Sequence, residues 1–157
     1  MNSSVTMSLG HIALLPALTI FAVAVGELLD FHDCGREKGR LLTVDMSPCP
    51  KKPCRLVRGR TFTVNVTFTS GEVTPYCKAS AYGLVLGIGL PIPLPEADGC
   101  KSGVVCPLKE GATYNYLSEL PIKAEYPKVV LDILWNLKDA EYKDLFCWII
   151  PVRIVDG

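Results

Sequence analysis

Histidine is nearly absent from this chain: there are two, and only His32 lies beyond residue 26. A Ser-His-Asp or Cys-His nucleophilic site needs an imidazole beside its nucleophile, so there is little material for one. No G-x-S-x-G, H-E-x-x-H or G-x-x-x-x-G-K-S/T motif occurs, and Gly87-Ile88-Gly89 lacks the third glycine of a dinucleotide loop. An excess of either charge is also missing. Lys+Arg and Asp+Glu both number 16, for a formal net charge of zero. That excludes the simplest nucleic-acid binder, which needs a strong basic field. Beyond residue 26 there is no apolar run long enough to span a bilayer and no long segment with a helical period. No C-x-x-C pair is present, which weakens a zinc site. Two carboxylates could still pair across a cleft, Glu96 with Asp98 or Glu119 with Glu125. Their plainer reading is as solvated loop charges, and the chain reads as a non-enzyme.

What is present is apolar strand, proline and cysteine. The 157 residues are 49% hydrophobic, too high for a disordered chain, and suit one domain with a real core. Residues 1–26 hold no Lys, Arg, Asp or Glu, and Ile12–Val25 is apolar apart from Pro16 and Thr19. Ala24-Val25-Gly26 then supplies small residues before Glu27. This segment reads as a secretory signal cleaved after Gly26, being shorter than the roughly 20 residues of a span. Residues 27–157 form the domain.

Export favours disulfides among the seven cysteines. Cys49–Cys54 and Cys100–Cys106 are close enough to staple short loops. Cys34 and Cys147 would then tie the two ends together, leaving Cys77 over. Asn65-Val66-Thr67 is a glycosylation sequon.

Thr61–Thr69 alternates strictly, with Phe62, Val64, Val66 and Phe68 on one face and Asn65 on the other. Val129, Leu131, Ile133, Trp135 and Leu137 alternate likewise, as do Phe146, Trp148, Ile150, Val152 and Ile154. Period 2 marks half-buried strands. Leu41–Met46, Ser80–Ile88 and Thr113–Glu119 are shorter candidates, separated by turn residues. About seven such strands predict an all-β sandwich of two antiparallel sheets. Leu84–Leu90 runs into Pro91-Ile92-Pro93-Leu94-Pro95. Alternating prolines remove backbone donors and confine this stretch to an edge or rim. Leu90, Ile92 and Leu94 on a rim point to a pocket mouth or a membrane-touching surface, or else they cap the core.

The chain resembles the soluble lysosomal sterol carriers of the ML lipid-recognition family. The residues that carry the resemblance are Asp33-Cys34-Gly35, Ser47–Pro50, Pro53-Cys54, Val64–Ser70, Pro95–Gly103, Leu120–Pro127, Leu145–Trp148 and Ile150–Val155. It spans about residues 30–155. It implies an immunoglobulin-like sandwich with an apolar pocket between the sheets, and pairs Cys34–Cys147, Cys49–Cys54 and Cys100–Cys106. It implies cholesterol or a related sterol as ligand, tail inward and hydroxyl at the mouth, with no cofactor and no metal. Ile92, Ile122 and Tyr126 match the principal sterol contacts, although the family pattern has Phe where this chain has Ile92. Leu90, Pro91 and Pro121 match the mouth. Leu56, Phe62, Val64, Leu131, Ile133, Trp135, Trp148 and Ile150 match the wall. Gly83, Leu84, Val85, Leu86, Gly87, Ile88 and Gly89 match an apolar projection toward membranes or a partner, with Tyr82 beside it where the family has His. Asn65 matches a glycan site that carries a lysosomal address. The implied partners are a membrane-embedded sterol transporter and, transiently, anionic endosomal membranes. The implied setting is secretion and the late endosome or lysosome lumen, as a monomer without nucleic acid. Two rivals stand beside this reading: an ML protein for glycolipid or bacterial lipid, and an adhesion-type sandwich with a solid core.

Overall fold

A computed structural model describes residues 30–35 and 37–157. The signal segment expected at 1–26 lies outside the described residues. The strands are β1 His32–Gly35, β2 Gly39–Ser47, β3 Cys54–Val57, β4 Thr61–Ser70, β5 Lys78–Val85, β6 Ile88–Ile92, β7 Thr113–Pro121, β8 Val130–Lys138 and β9 Asp144–Val155. One turn of 3-10 helix, Gly99–Lys101, is capped by the Asp98 side chain.

The strands form two layers. The larger sheet runs β1-β9-β8-β5-β6, with β3 also on β9, and the smaller runs β2-β4-β7. Pairing is antiparallel except for β3 on β9. The inner faces are those the alternation marks. Val64, Val66 and Phe68 are fully buried on β4, as are Trp135 and Leu137 on β8 and Trp148 and Val152 on β9. The fold is the all-β sandwich expected, but three strands were not read from the sequence as separate elements. β1 and β3 have four residues each and β6 has five, too few for period 2 to stand out.

Ser80–Ile88, expected as one strand, is a hairpin. Leu86 and Gly87 both take positive φ, 50° and 78°, between Val85 and Ile88. Two central residues of that hand make the tight turn that fits strand twist. The proline run does lie on an edge, because β6 is the last strand of its sheet.

Aromatic rings fill the centre. Trp135 and Trp148 are cross-strand partners whose rings stack at 5.7 Å. Trp135 donates its indole N–H to the Tyr116 hydroxyl at 3.2 Å. That bond joins the two sheets, and it satisfies a donor whose burial would otherwise cost free energy. The three disulfides join Cys34 to Cys147, Cys49 to Cys54 and Cys100 to Cys106. The first closes a loop of 113 residues. In the chain-entropy description a loop of that size stabilises by about 4–5 kcal/mol.

Candidate functional site

At one end of the sandwich the inner faces do not meet. A cavity of about 200 Å³ opens there. The larger sheet contributes Leu131 and Ile133 of β8, Ile154 of β9 and Leu56 of β3, with Val129 just before β8. Along β8 the cavity stops at Ile133, one inward position before the Trp135 ring. The edge hairpin contributes Gly83 and Val85 of β5, then Leu90, Pro91, Ile92 and Pro93. The loop after β7 closes the mouth with Ile122, Lys123, Tyr126 and Pro127. Lys123 is the only charged residue among these. A solid-core adhesion sandwich would have no such space.

Gly83 is there for lack of a side chain. A Cβ on it would meet Leu131 Cδ1 at 3.0 Å, with Ile92 Cδ1 at 3.9 Å. Any larger residue would therefore fill the cavity from the β5 side.

The two walls of the mouth are held differently. On one side the loop after β7 is pinned to the β3–β4 turn. Gly59 N–H donates to the Ile122 carbonyl at 2.6 Å, and Ile122 N–H donates to the Arg60 carbonyl at 2.9 Å. Arg58 donates to the Tyr126 carbonyl at 3.1 Å and through Nε to Asp156 Oδ1 at 2.7 Å. Lys128 reaches the other Asp156 oxygen at 3.1 Å. The hydrogen bond from Arg58, seconded by Lys128, holds the exposed Asp156 carboxyl below the usual range. On the other side, among the described residues, the β5–β6 hairpin has no strand beyond β6. Its tip is apolar and solvated: Leu86 is 97% exposed, Ile88 65% and Leu90 55%. Leu90 also lines the cavity, so the apolar tip and the apolar interior form one continuous surface.

Of the sterol contacts expected from the sequence, the structure brings Leu56, Leu90, Pro91, Ile92, Ile122, Tyr126, Leu131 and Ile133 to one cavity. Phe62, Val64, Trp135, Trp148 and Ile150 lie buried in the adjoining core and do not border it. Pro121, half-buried, ends β7 one residue short of the lining. Within the expected projection, Leu86, Gly87, Ile88 and Gly89 are exposed. Leu84 is half-buried on β5, while Gly83 and Val85 face the cavity instead. Pro93, Lys123, Pro127, Val129 and Ile154 also line it and were not read as contacts. Alternation already placed Val129 and Ile154 on inner faces, but it cannot say where two sheets diverge. Asn65 lies on the outer face of the smaller sheet, between Asp45 and Leu117.

Of the two carboxylate pairs, Glu96 and Asp98 serve as local caps. Glu96 accepts from the Asp98 N–H at 3.0 Å, and Asp98 accepts from the Cys100 N–H at 2.9 Å. Glu119 and Glu125 are both exposed, on β7 and in the loop after it. Cys77 is buried, its sulfur within 4.8 Å of those of Cys100 and Cys106. The latter two are bonded to each other, so the trio is not a set of free metal ligands. Burial, and then the Asp98 carboxylate, push the Cys77 thiol up to about 12. A thiol so poor in thiolate is chemically inert.

With this geometry in place, comparison with known proteins identifies the architecture. The ML domain matches residues 29–154. The NPC intracellular cholesterol transporter 2 of Bos taurus is 45% identical over 137 residues, covering 87% of this chain and 92% of that protein. Homolog a of the same transporter in Drosophila melanogaster is 37% identical, covering 88% and 93%. Among solved structures, a Niemann–Pick type C2 protein from Japanese carpenter ant superposes with a TM-score of 0.76 at 28% identity, covering 81% of this chain and all of that one.

Proposed function

Because the chain belongs to the ML-domain family, we propose that it is a soluble carrier of unesterified sterol. It binds cholesterol between its two sheets and passes it on, in late endosomes and lysosomes, to membranes or to Niemann–Pick type C intracellular cholesterol transporter 1. Residues 1–26 serve as the export signal, and Asn65 carries the glycan. The observation that carries this reading is the apolar cavity continuous with the solvated tip of the β5–β6 hairpin.

The energetics set a condition. Burying a sterol tail of about eight carbons yields roughly 6 kcal/mol at about 0.8 kcal/mol per CH₂. Alone, that gives affinities of tens of micromolar, before association costs. Tight binding requires the rings inside as well. A cavity of about 200 Å³ is below the roughly 300–1,000 Å³ of ordinary small-molecule sites. The sheets must therefore part to admit the whole ligand. The pinned loop after β7 resists this, so opening falls to the hairpin side. Transfer needs no bond chemistry, only an apolar path from the cavity to an acceptor, and the tip supplies one.

The test is uptake of a fluorescent sterol at acidic pH. The parent protein should bind it saturably, and Ile122→Trp, which puts an indole into the cavity, should weaken binding at least tenfold with the melting temperature preserved. Absence of uptake by the parent protein would refute the reading. Mass spectrometry of lipid co-purified with the protein names the natural ligand, and a glycolipid or bacterial lipid there would displace sterol.

A further inference from the structure

On the outer face of the larger sheet, four cations border one cleft of about 250 Å³. Arg55 of β3 and Arg153 of β9 are register partners in the parallel pair, so two guanidinium groups stand on neighbouring strands, both exposed. Lys51 and Lys52 border the same cleft from the loop that Cys49–Cys54 closes. Elsewhere Arg58 and Lys128 pair with Asp156, and Lys138 pairs with Asp144. Here Lys52 has Asp30 at 3.8 Å, and among the described residues no ion pair is formed by Lys51, Arg55 or Arg153. Like charges on neighbouring strand positions repel. Positive charge is thus gathered at this cleft, offset at Lys52 by Asp30.

We propose that Lys51, Lys52, Arg55 and Arg153 form an oxyanion site that takes a phosphate monoester. The planar forks of two arginines match phosphate oxygens in pairs, and two ammonium groups add point charge. An anion seated there turns mutual repulsion into attraction to a common centre. The cleft is small, suited to one phosphate and the atoms next to it. It is also separate from the cavity. Leu56 and Ile154, chain neighbours of Arg55 and Arg153, line the cavity on the opposite face, because strand side chains alternate. The proposal therefore stands independently of the sterol reading. A phosphate monoester can arrive on a membrane lipid or free in solution, and the test separates the two.

The full chain and its R55Q/R153Q variant are titrated with inorganic phosphate, reading the arginine side-chain N–H resonances by NMR. Potassium chloride at matched ionic strength controls for screening. Both proteins are also floated with phosphatidylcholine vesicles, with and without phosphatidic acid. Phosphate, unlike chloride, should shift the Arg55 and Arg153 resonances saturably, and the variant should bind phosphate at least tenfold more weakly. Retention of the parent by phosphatidic acid vesicles, lost in the variant, makes the lipid headgroup the source. Phosphate binding without that retention makes it a soluble phosphomonoester. The melting temperature of the variant should match that of the parent and reports that it is folded. Should it not, K51Q/K52Q, confined to the loop, replaces it under the same criteria. Chloride acting like phosphate on the parent, or undiminished phosphate binding in the folded variant, overturns the proposal.

Discussion

Gly83 shows how a single residue sets the interior. With no side chain there, Leu131 Cδ1 comes within 3.0 Å of where a Cβ would stand, and Ile92 Cδ1 within 3.9 Å. Gly83→Val should push Leu131 into the cavity. Sterol uptake should fall more than tenfold, and the melting temperature should drop by several degrees with folding retained, since overpacking costs about 1–3 kcal/mol. Binding equal to the parent would mean that the ligand does not use this side of the cavity. Cys77 shows the opposite economy. It lies under the Gly99–Lys101 turn, where a Cβ on Gly99 would meet its sulfur at 2.3 Å. Its chemistry is suppressed by burial, and its part is packing.

The β5–β6 hairpin is the element on which transfer depends. Its two turn residues need positive φ, and the first of them is leucine, which the conformation disfavours. Leu86→Asn substitutes a residue that tolerates the left-handed region and removes the most exposed apolar side chain among the described residues. The expected result is an unchanged or raised melting temperature, unchanged equilibrium affinity for sterol, and a several-fold slower exchange of sterol with vesicles. Exchange at the parental rate would show that the tip plays no part in membrane contact. The loop after β7 contrasts with the hairpin: its hydrogen bonds to Gly59, Arg60 and Arg58 leave it little freedom.

At the scale of the whole molecule, the two ends of the sandwich differ in kind. One holds the cavity. The other carries a carboxyl pair, Glu72 after β4 and Asp139 after β8. Burial first, and then hydrogen bonding and charge from Asp139, raise the Glu72 carboxyl from 4.5 to about 7, despite Lys38 pulling it down. Burial would raise Asp139 too, but the hydrogen bond with Glu72 and those from the Lys143 and Glu141 N–H groups outweigh it and hold Asp139 low. The native pair thus retains a proton that the unfolded chain releases above about pH 4.5. The stability gained is fully present below that pH and is lost as pH rises through about 7. Calorimetry should give a higher melting temperature near pH 5 than near pH 8, and Glu72→Gln should flatten that difference. An unaltered pH profile in the variant would remove the pair as its cause. The sign suits a protein whose proposed place of work is acidic.

Period 2 over Thr61–Thr69, Val129–Lys138 and Phe146–Ile154 was enough to identify the strands and their buried faces, because alternation is a local consequence of the pleat. Cysteine spacing was enough to indicate three staples, and the proline run was enough to place β6 at an edge. The hairpin escaped notice because nothing in Leu84–Leu90 separates one apolar strand from two. The cavity was legible only in part. Alternation says which residues point inward, whereas only the angle between packed sheets decides whether an inward residue meets another or meets space. Hence Ile133 lines the cavity and Trp135, two residues on and on the same face, closes the solid core. The arginine pair on β3 and β9 was hidden for a like reason: 98 residues of chain separate partners that only strand pairing brings side by side.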